Sequence, residues 1–425
     1  MSPSLIFGSF ILAMLLGVPI AISLFLGGVI PILSSGIPLT VIPQKFYNAV
    51  NLYALMAIPL FVISGGLLDK GGVSKRLVNL ANALVGTLPG GLAVVTFLSC
   101  AFFGAISGVA SATVVAIGSI MVPAMLREGY SRAFALTTVA SGGWLGIIVP
   151  PSAPMVIYGI STNTSIGDMF MGGIIPGFFL AGGMSVYAIY YGYHNLPKAQ
   201  QKFSWKNVRK CFNEALLALV MPLIVLGGIY SGAFTPTESA AVAVLYGFIV
   251  GIFVYKELKP KIIYEIFRSA VITSGVVIFI IGGASVFGYV MTRAQVPVKI
   301  ANFIMSIADS RASFLALMTL LFLIVGTFME ITPAILILAP IFAPVLSHYD
   351  VNPVFFGVTV VINMGIGMLT PPVGMNLYVA AGLTNDKVDI LINRHLACYI
   401  LSAFAVLVLF LCFPQIILWI PNMMR

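Results

Sequence analysis

The sequence predicts an all-α polytopic membrane protein, and three observations support this fold class. Of the 425 residues, 60% are hydrophobic and only 8% are charged, against roughly 25% charged residues in soluble domains. The mean hydropathy is +1.10. Apolar stretches such as 216–229 and 271–281 are apolar on both faces, whereas strands of a membrane barrel alternate apolar and polar residues. Because lipid-exposed backbone must be hydrogen-bonded internally, helices remain as the spanning element.

Eleven apolar segments follow one another along the chain. A helix crosses the bilayer in about 20 residues, and several segments are too long or too interrupted for one crossing. The first is expected to be a retained span, because 1–30 lacks the basic start and the cleavage site of a signal peptide. The segments are approximately 5–34, 47–68, 90–126, 133–160, 168–192, 212–230, 236–255, 262–291, 295–346, 353–382 and 393–423.

The formal net charge of +9 indicates orientation in a membrane rather than binding to nucleic acid. Basic residues cluster in loops beside the apolar segments, where the positive-inside bias places them. The most polar loop, 194–210, carries five basic residues and no acidic one, so it is predicted to be cytoplasmic. Its basic residues are Lys198, Lys202, Lys206, Arg209 and Lys210.

Four cysteines without C-x-x-C spacing are interpreted as packing residues. They are Cys100, Cys211, Cys398 and Cys412.

The same loop divides the chain into two similar halves. The halves are a first repeat, 1–193, and a second, 212–425, joined by a linker, 194–211. Gly146 through Pro151 matches Gly367 through Pro372, and Gly104 matches Gly326. Two inverted repeats with hairpins that enter the membrane and turn back are typical of secondary transporters. Parallel repeats remain the alternative, since hydropathy does not count half-spanning hairpins.

Each half contains an apolar stretch interrupted by small polar residues, 104–113 in the first and 326–334 in the second. A helix broken inside a membrane frees carbonyl groups at one end and N–H groups at the other. Freed carbonyls with Ser or Thr hydroxyls suit sodium, and helix N-termini suit a carboxylate. The alternative is that Ser107, Ser111 and Thr113 only assist helix packing.

Each half also contains a Pro-Pro pair inside an apolar segment, Pro150-Pro151 and Pro371-Pro372. Proline removes a donor and clashes with the preceding turn, so a pair is expected to unwind the helix. The carbonyls of four residues are then predicted to be unpaired, those of Gly146, Val149, Gly367 and Thr370. A kink that only shapes packing is the alternative.

Two acidic residues lie within or beside apolar segments. The sequence suggests three alternative roles for Glu330, which are to coordinate sodium, to carry a proton, or to cap the helix that begins near Thr332. The cap is the preferred prediction. Glu238 follows Pro236 and is predicted to cap the next span.

These motifs together resemble the large membrane subunit of TRAP transporters, the DctM-like permeases, over essentially the whole chain. The motifs are Ser107 to Thr113, the two Pro-Pro pairs, Phe234-Thr235-Pro236-Thr237-Glu238 and Met329-Glu330-Ile331-Thr332-Pro333. The family's tip motif commonly reads Ser-Gly-Ser, whereas this chain has Val109 at the third position.

The resemblance implies sodium-coupled uptake of a small organic acid, of the C4-dicarboxylate, sugar acid or sialic acid type, by an elevator mechanism in a bacterial inner membrane. It implies two partners, a small four-helix membrane subunit, expected as a separate polypeptide, and a periplasmic substrate-binding protein. Sodium ions are the coupling ions and no other cofactor is expected.

The resemblance and the carbonyl argument together assign residues to three sites. One sodium is expected at Ser107, Ser111, Gly146, Val149 and Pro150. A second is expected at Gly326, Thr332, Gly367, Thr370 and Pro371. The substrate is expected to contact Thr113, Ser152, Pro333 and Asn376.

Three other classes of function are the alternatives for such a chain. An autonomous anion carrier or cation/proton antiporter of the same architecture would need no binding protein. An enzyme is not expected, because the three histidines lie in loops or at span ends and no H-E-x-x-H or G-x-S-x-G occurs. A purely structural scaffold would not need two matched breaks.

Overall fold

The computed structural model describes residues 2–196 and 203–424, which form helices and no strand. The all-α fold class is therefore confirmed. The helices are α1 (Pro3–Leu15), α2 (Ile20–Ser34), α3 (Val41–Val50), α4 (Ala57–Lys70), α5 (Val73–Val85), α6 (Gly91–Ser107), α7 (Ala110–Arg127), α8 (Arg132–Gly143), α9 (Ala153–Thr162), α10 (Ile166–Asn195), α11 (Trp205–Tyr230), α12 (Pro236–Ile249), α13 (Pro260–Arg293), α14 (Val296–Ile307), α15 (Arg311–Gly326), α16 (Ile331–Phe342), α17 (Pro353–Gly367), α18 (Met375–Gly382), α19 (Arg394–Cys412) and α20 (Gln415–Met423). Short 3-10 turns occupy Tyr53–Met56, Trp144–Ile147, Ala343–Val345 and Val388–Leu391, and a π-helical turn occupies Val250–Val254.

Seven helices in the described part of the chain are long and apolar enough to cross a membrane. They include α10, α11, α13 and α19, whereas both helices that follow a Pro-Pro pair are much shorter. The predicted linker, 194–211, overlaps both neighbouring helices, because α10 continues to Asn195 and α11 already begins at Trp205. Its residues 197–202 lie outside the described residues. The predicted division of the chain at this loop remains a prediction.

The two halves pack against each other reciprocally. Helix α7 contacts α18, and its counterpart α16 contacts α9; likewise α8 contacts α19, and α17 contacts α10. In both of these pairs of contacts the roles of the two halves are exchanged. This reciprocity is the signature of a twofold relation.

The positions of equivalent helix ends indicate that the repeats are inverted. Helix α4 ends beside the turn Val250–Val254, which precedes α13 in the chain. The two segments are in contact, since a methyl group on Gly71 would lie 3.4 Å from Gly251 Cα. The residue that matches Lys70 in the second half is Arg293, at the far end of α13. Helix α13 has 34 residues, a length of about 50 Å at 1.5 Å per residue. Equivalent positions thus lie on opposite sides of the molecule.

The helices form two groups around the candidate site. We call α1–α5 and α11–α14 the outer group, in which α13 packs along α2, α3 and α4, and α12 packs along α4. We call α6–α10 and α15–α20 the site group, which contains both interrupted helix pairs. The largest fully buried side chains, among them Trp144, Tyr158 and Phe134, belong mostly to the site group. The outer group meets the site group where α4 and α5 contact α6 and where α13 contacts α16.

Capping residues fix where several helices begin. Thr235 and Glu238 form a reciprocal capping box: Glu238 N donates to Thr235 Oγ1 at 3.3 Å, and Thr235 N donates to Glu238 Oε2 at 2.7 Å. The prediction that Glu238 caps the span after Pro236 is confirmed. Ser152 caps α9 and Asn352 caps α17 with their side-chain oxygens.

Candidate functional site

The first interrupted stretch is a tight helical hairpin. Helix α6 ends at Ser107, and α7 begins at Ala110. Gly108 has φ +64°, the left-handed conformation that glycine adopts without steric cost, and so allows the chain to reverse within two residues. The small side chains predicted to mark a break therefore do so.

The second interrupted stretch has the same construction with a longer tip. Helix α15 ends at Gly326, and α16 begins at Ile331. Glu330 occupies the N-cap position of α16, as preferred, but makes no side-chain cap hydrogen bond to the backbone. Its carboxylate instead accepts a hydrogen bond from Thr332 Oγ1 at 3.1 Å.

Both Pro-Pro pairs interrupt a helix, as predicted. The backbone between α8 and α9 and between α17 and α18 is non-helical around the prolines, apart from the 3-10 turn at Trp144–Ile147. Both pairs contain a cis peptide bond, Pro150–Pro151 and Pro371–Pro372. The two halves therefore carry the same backbone interruption at equivalent places.

Each hairpin is held against the interrupted helix of its own half by close backbone contact. A methyl group on Gly104 would lie 2.7 Å from Gly146 Cα, and one on Gly326 would lie 3.0 Å from Gly367 Cα. The first distance is shorter than real Cβ contacts, and a methyl group on Gly367 would lie still closer, 2.5 Å from Gly326 Cα, so glycine is required in each half. Glycine at these four positions brings the two breaks of each half together.

The hairpin tips also accept hydrogen bonds from the unwound segments. Gly108 O accepts from Ala153 N at 3.3 Å. Thr327 O accepts from both Val373 N and Gly374 N at 3.2 Å. These bonds were not foreseen from the sequence, which shows that two stretches are broken but not that the breaks bond to each other.

Three of the four carbonyls predicted to be unpaired lack a partner in the structure. No described residue donates to the main-chain oxygens of Gly146, Val149 or Thr370. For Gly367 the prediction is wrong, because its oxygen accepts from Thr370 N at 2.8 Å in a tight turn. A carbonyl oxygen has two lone pairs, so Gly367 retains one for another ligand.

At the first predicted sodium position, the Ser107 hydroxyl directs its proton toward the predicted substrate residue Thr113. Thr113 Oγ1 donates to Val109 O at 2.9 Å, so the 3.1 Å contact between Ser107 and Thr113 places the shared proton on Ser107. Both lone pairs of Ser107 Oγ are then available. Gly146 lies directly against the Thr113 hydroxyl, whereas Ser111, in the first turn of α7, is partly exposed.

The hydroxyls at the second predicted position follow the same rule. Thr332 Oγ1 donates to Glu330 Oε1 at 3.1 Å, and Thr370 Oγ1 donates to Ile366 O at 3.0 Å. Each oxygen keeps its lone pairs for a cation. Gly326 and Gly367 are in contact, and Pro371 follows the free Thr370 carbonyl.

The four residues predicted to contact substrate are buried. Pro333 lies in the first turn of α16, and Thr113 has the bonds given above. Ser152 donates to Ile147 O at 2.6 Å and accepts from Met155 N, so its hydroxyl is used within the backbone. Asn376 donates to Ala140 O over 3.4 Å, and its Oδ1 has no partner among the described residues. Asn376 is thus the predicted substrate residue with an unused polar atom.

Two buried contacts near the site were missed from the sequence. Trp144 of the first half is fully buried against Gly365 of the second half. A methyl group on Gly65 of α4 would lie 2.9 Å from Ser107 Cα, so an outer-group helix touches the first tip.

The described residues contain no group of three His, Cys, Asp or Glu side chains that could hold a metal ion. The polar groups at the interruptions are mainly hydroxyl and main-chain oxygens. These are the ligands of hard cations.

Comparison with known proteins shows the family. The family model described as "Tripartite ATP-independent periplasmic transporter, DctM component" matches residues 7–416. The chain is 37% identical over 443 residues to the C4-dicarboxylate TRAP transporter large permease protein DctM of Rhodobacter capsulatus, covering 100% of both chains. It is 36% identical over 412 residues to the sialic acid TRAP transporter large permease protein SiaM of Vibrio cholerae, covering 96% of this chain and 95% of that one.

A further relative is longer than this chain. The identity is 42% over 388 residues to the isethionate TRAP transporter permease protein DctMQ of Oleidesulfovibrio alaskensis, covering 90% of this chain but 61% of that protein. The chain therefore spans about three fifths of that relative's length.

Among solved structures, the YdaH transporter of Alcanivorax borkumensis matches with a TM-score of 0.63 and 14% identity, covering 89% of each chain. At this identity the likeness shows the fold alone. The all-α architecture with two interrupted repeats is accordingly that of a known transporter. With the family match over nearly its whole length, the chain belongs to the DctM components of tripartite ATP-independent periplasmic transporters, and it is a transport protein rather than an enzyme.

Proposed function

We propose that the chain carries out sodium-coupled uptake of a small organic acid anion, as the large membrane subunit of its tripartite transporter. The observation that carries the proposal is the orientation of three hydroxyls. Ser107, Thr332 and Thr370 each donate their proton to another protein oxygen, which leaves lone pairs without protons beside free carbonyls.

Sodium fits these positions because the ligands are oxygens with little charge. The first set comprises Ser107, Ser111, Gly146, Val149 and Pro150, and the second comprises Gly326, Thr332, Gly367, Thr370 and Pro371. A hard cation prefers carbonyl and hydroxyl oxygens to nitrogen or sulfur. Glu330 adds the oxygens of one carboxyl group next to the second set.

The acid anion is expected between the two hairpin tips. Helices α7, α9, α16 and α18 all begin at the interruptions, and a helix N-terminus carries a partial positive charge that favours an anion. Thr113, Ser152, Pro333 and Asn376 lie in the first turns of these helices or beside them. The relatives' names refer to C4-dicarboxylate, sialic acid and isethionate, each an acid anion at neutral pH.

The division into two groups supports our proposal that transport occurs by an elevator movement. The site group holds both tips and both Pro-Pro interruptions, and we expect it to move as one body past the outer group. In each half the hydrogen bonds between tip and unwound segment join parts of the site group only, so they can persist during the movement. A bacterial inner membrane is the expected location, with a small four-helix membrane subunit and a periplasmic substrate-binding protein as partners.

The proposal is tested by uptake into proteoliposomes that contain the chain and the small subunit. Candidate acids are C4-dicarboxylates, sugar acids and sialic acids, each supplied with its binding protein, with and without an inward sodium gradient. We expect uptake only with both sodium and a binding protein. Uptake that is equal in potassium would contradict sodium coupling. Uptake without any binding protein would instead identify an autonomous anion carrier.

A further inference from the structure

We propose that an anionic phospholipid of the surrounding bilayer binds between the outer group and the site group. A cavity of about 310 Å³ lies between α13 and α16, bounded at its ends by residues of α3, α9 and α14. This volume is at the lower end of ligand pockets, roughly 300 to 1,000 Å³. The cavity is separate from both predicted sodium positions and from the predicted substrate residues.

The walls of the cavity are suited to an apolar chain. Side chains such as Ala284, Met291, Leu336, Ile337 and Ile341 form most of the lining. The lining also contains hydroxyl groups, and each of them already donates to a main-chain oxygen. Ser161 donates to Tyr158 O, Ser285 to Lys45 O and Thr292 to Gly288 O, at 3.1, 3.1 and 2.8 Å. The hydroxyl protons are thus already used, and the rest of the lining is apolar, so an acyl chain, which needs no hydrogen bond, suits these walls.

Three basic residues lie beside lining residues of the same cavity, and the main-chain oxygen of one of them, Lys45, accepts a hydrogen bond from the lining residue Ser285. Lys45 Nζ lies 5.2 Å from the centre of the Tyr289 ring, and Arg293 Nη1 lies 3.2 Å from Tyr289 Oη. Arg293 directly follows Thr292, which lines the cavity, and Lys299 follows Pro297, which also lines it. Among the described residues none of these three cations forms an ion pair. We call Lys45, Arg293 and Lys299 the basic rim.

An anionic phospholipid satisfies both features with one molecule. Its phosphate group would lie at the basic rim, and an acyl chain would enter the cavity. Basic pockets between membrane helices favour such headgroups. A soluble phosphate would use the rim but leave the cavity empty, and a neutral apolar molecule would leave the rim unused. Because α13 belongs to the outer group and α16 to the site group, the lipid would contact both.

The test is native mass spectrometry of the full chain in a neutral detergent, titrated with phosphatidylglycerol or phosphatidylcholine. The first variant is Lys45→Gln with Arg293→Gln. The second is Gly288→Leu, whose side chain would occupy open space next to the cavity lining. We expect the first variant to bind phosphatidylglycerol about 30-fold more weakly, since each cation near a membrane surface contributes about a factor of five. Gly288→Leu should weaken the binding of both lipids.

Two controls separate charge from folding. Lys45→Arg with Arg293→Lys keeps the charges and should bind phosphatidylglycerol as the wild type does. Lys259→Gln with Lys261→Gln removes two charges at the opposite end of α13 and should also leave binding unchanged. Equal phosphatidylglycerol binding by the wild type and the Lys45→Gln, Arg293→Gln variant would overturn the proposal. Displacement of the lipid by glycerol 3-phosphate at equal concentration would show that the site binds simple anions instead. Unchanged lipid binding by Gly288→Leu would overturn the placement of the acyl chain in the cavity.

Discussion

Arg132 Nε lies 2.6 Å from the Asp386 carboxylate, and this ion pair joins the two halves of the chain. Arg132 begins α8, and Asp386 follows α18, so the pair links the helix before one Pro-Pro interruption to the helix after the other. The Thr384 hydroxyl donates to the same carboxylate. Both the hydroxyl and the guanidinium stabilise the charged form, and they hold the pKa of Asp386 below its usual value.

The first prediction concerns the pH dependence of this pair. A carboxyl group whose pKa is lowered in the folded state stabilises that state above its ordinary pKa, and the contribution is lost as the pH falls through the folded pKa. We expect Asp386→Asn to lower the apparent unfolding temperature at pH 7, and the difference from the wild type to vanish in acid below the ordinary aspartate range. Differential scanning fluorimetry in detergent measures both. Exchanging the charges, Arg132→Asp with Asp386→Arg, should restore part of the loss, and a difference independent of pH would contradict the assignment.

The second prediction concerns the glycine contacts between hairpin and interrupted helix. Gly104→Ala and Gly326→Ala would each place a methyl group within 3.0 Å of a backbone carbon. Overpacking of this kind costs about 1–3 kcal/mol, so both variants should unfold at lower temperature and transport more slowly. Gly227→Ala is the matched control, because nothing lies within 4 Å of that position. Equal effects at all three positions would refute the close approach.

The third prediction tests the two sodium positions separately from the substrate site. Ser107→Ala and Thr332→Ala each remove one hydroxyl oxygen, and we expect each to raise the sodium concentration for half-maximal uptake about fivefold, the effect of roughly 1 kcal/mol. Ser119→Ala, an exposed serine in α7, is the control and should not change it. If the variants change only the apparent affinity for the acid, the hydroxyls belong to the substrate site instead.

The fourth prediction concerns the start of α19. Asn393 Oδ1 accepts from His395 N and Leu396 N at 2.8 and 3.1 Å, and its Nδ2 donates to Thr137 Oγ1 at 3.0 Å. Asn393→Ala should reduce stability by about 1–2 kcal/mol, since it removes the cap. Asn393→Asp keeps the acceptor but loses the donor, so it should be intermediate. Denaturation in detergent measures the order, and an alanine variant as stable as the aspartate variant would exclude the cap as the cause.

The interruptions were predictable because their causes are local. Gly108 permits a reversal, and consecutive prolines such as Pro150-Pro151 cannot continue a helix, whatever surrounds them. The inverted orientation was also anticipated, since the sequence repeat and the basic loop restrict the possibilities. These features therefore follow from short stretches of sequence.

The relations across the fold were not predictable in this way. The contact between Trp144 and Gly365 joins residues more than two hundred positions apart, and no pattern in either stretch marks it. The carbonyl of Gly367 was predicted to be free, but Thr370 N turns back to it. Whether a freed carbonyl finds a partner depends on the path of the next few residues, which the prolines restrict but do not determine.

The length of α13 has a consequence for how the protein fits different membranes. Its length of about 50 Å exceeds a hydrocarbon layer of about 30 Å. Even at a tilt of 40°, near the upper limit for such helices, it would extend over about 39 Å along the bilayer normal. Both ends of α13 can therefore reach the headgroups in thin and thick bilayers alike. A change in bilayer thickness would therefore change the tilt of this helix, and its central residues would stay in the hydrocarbon layer. Hydrophobic mismatch would in this way change the orientation of the outer group relative to the bilayer normal.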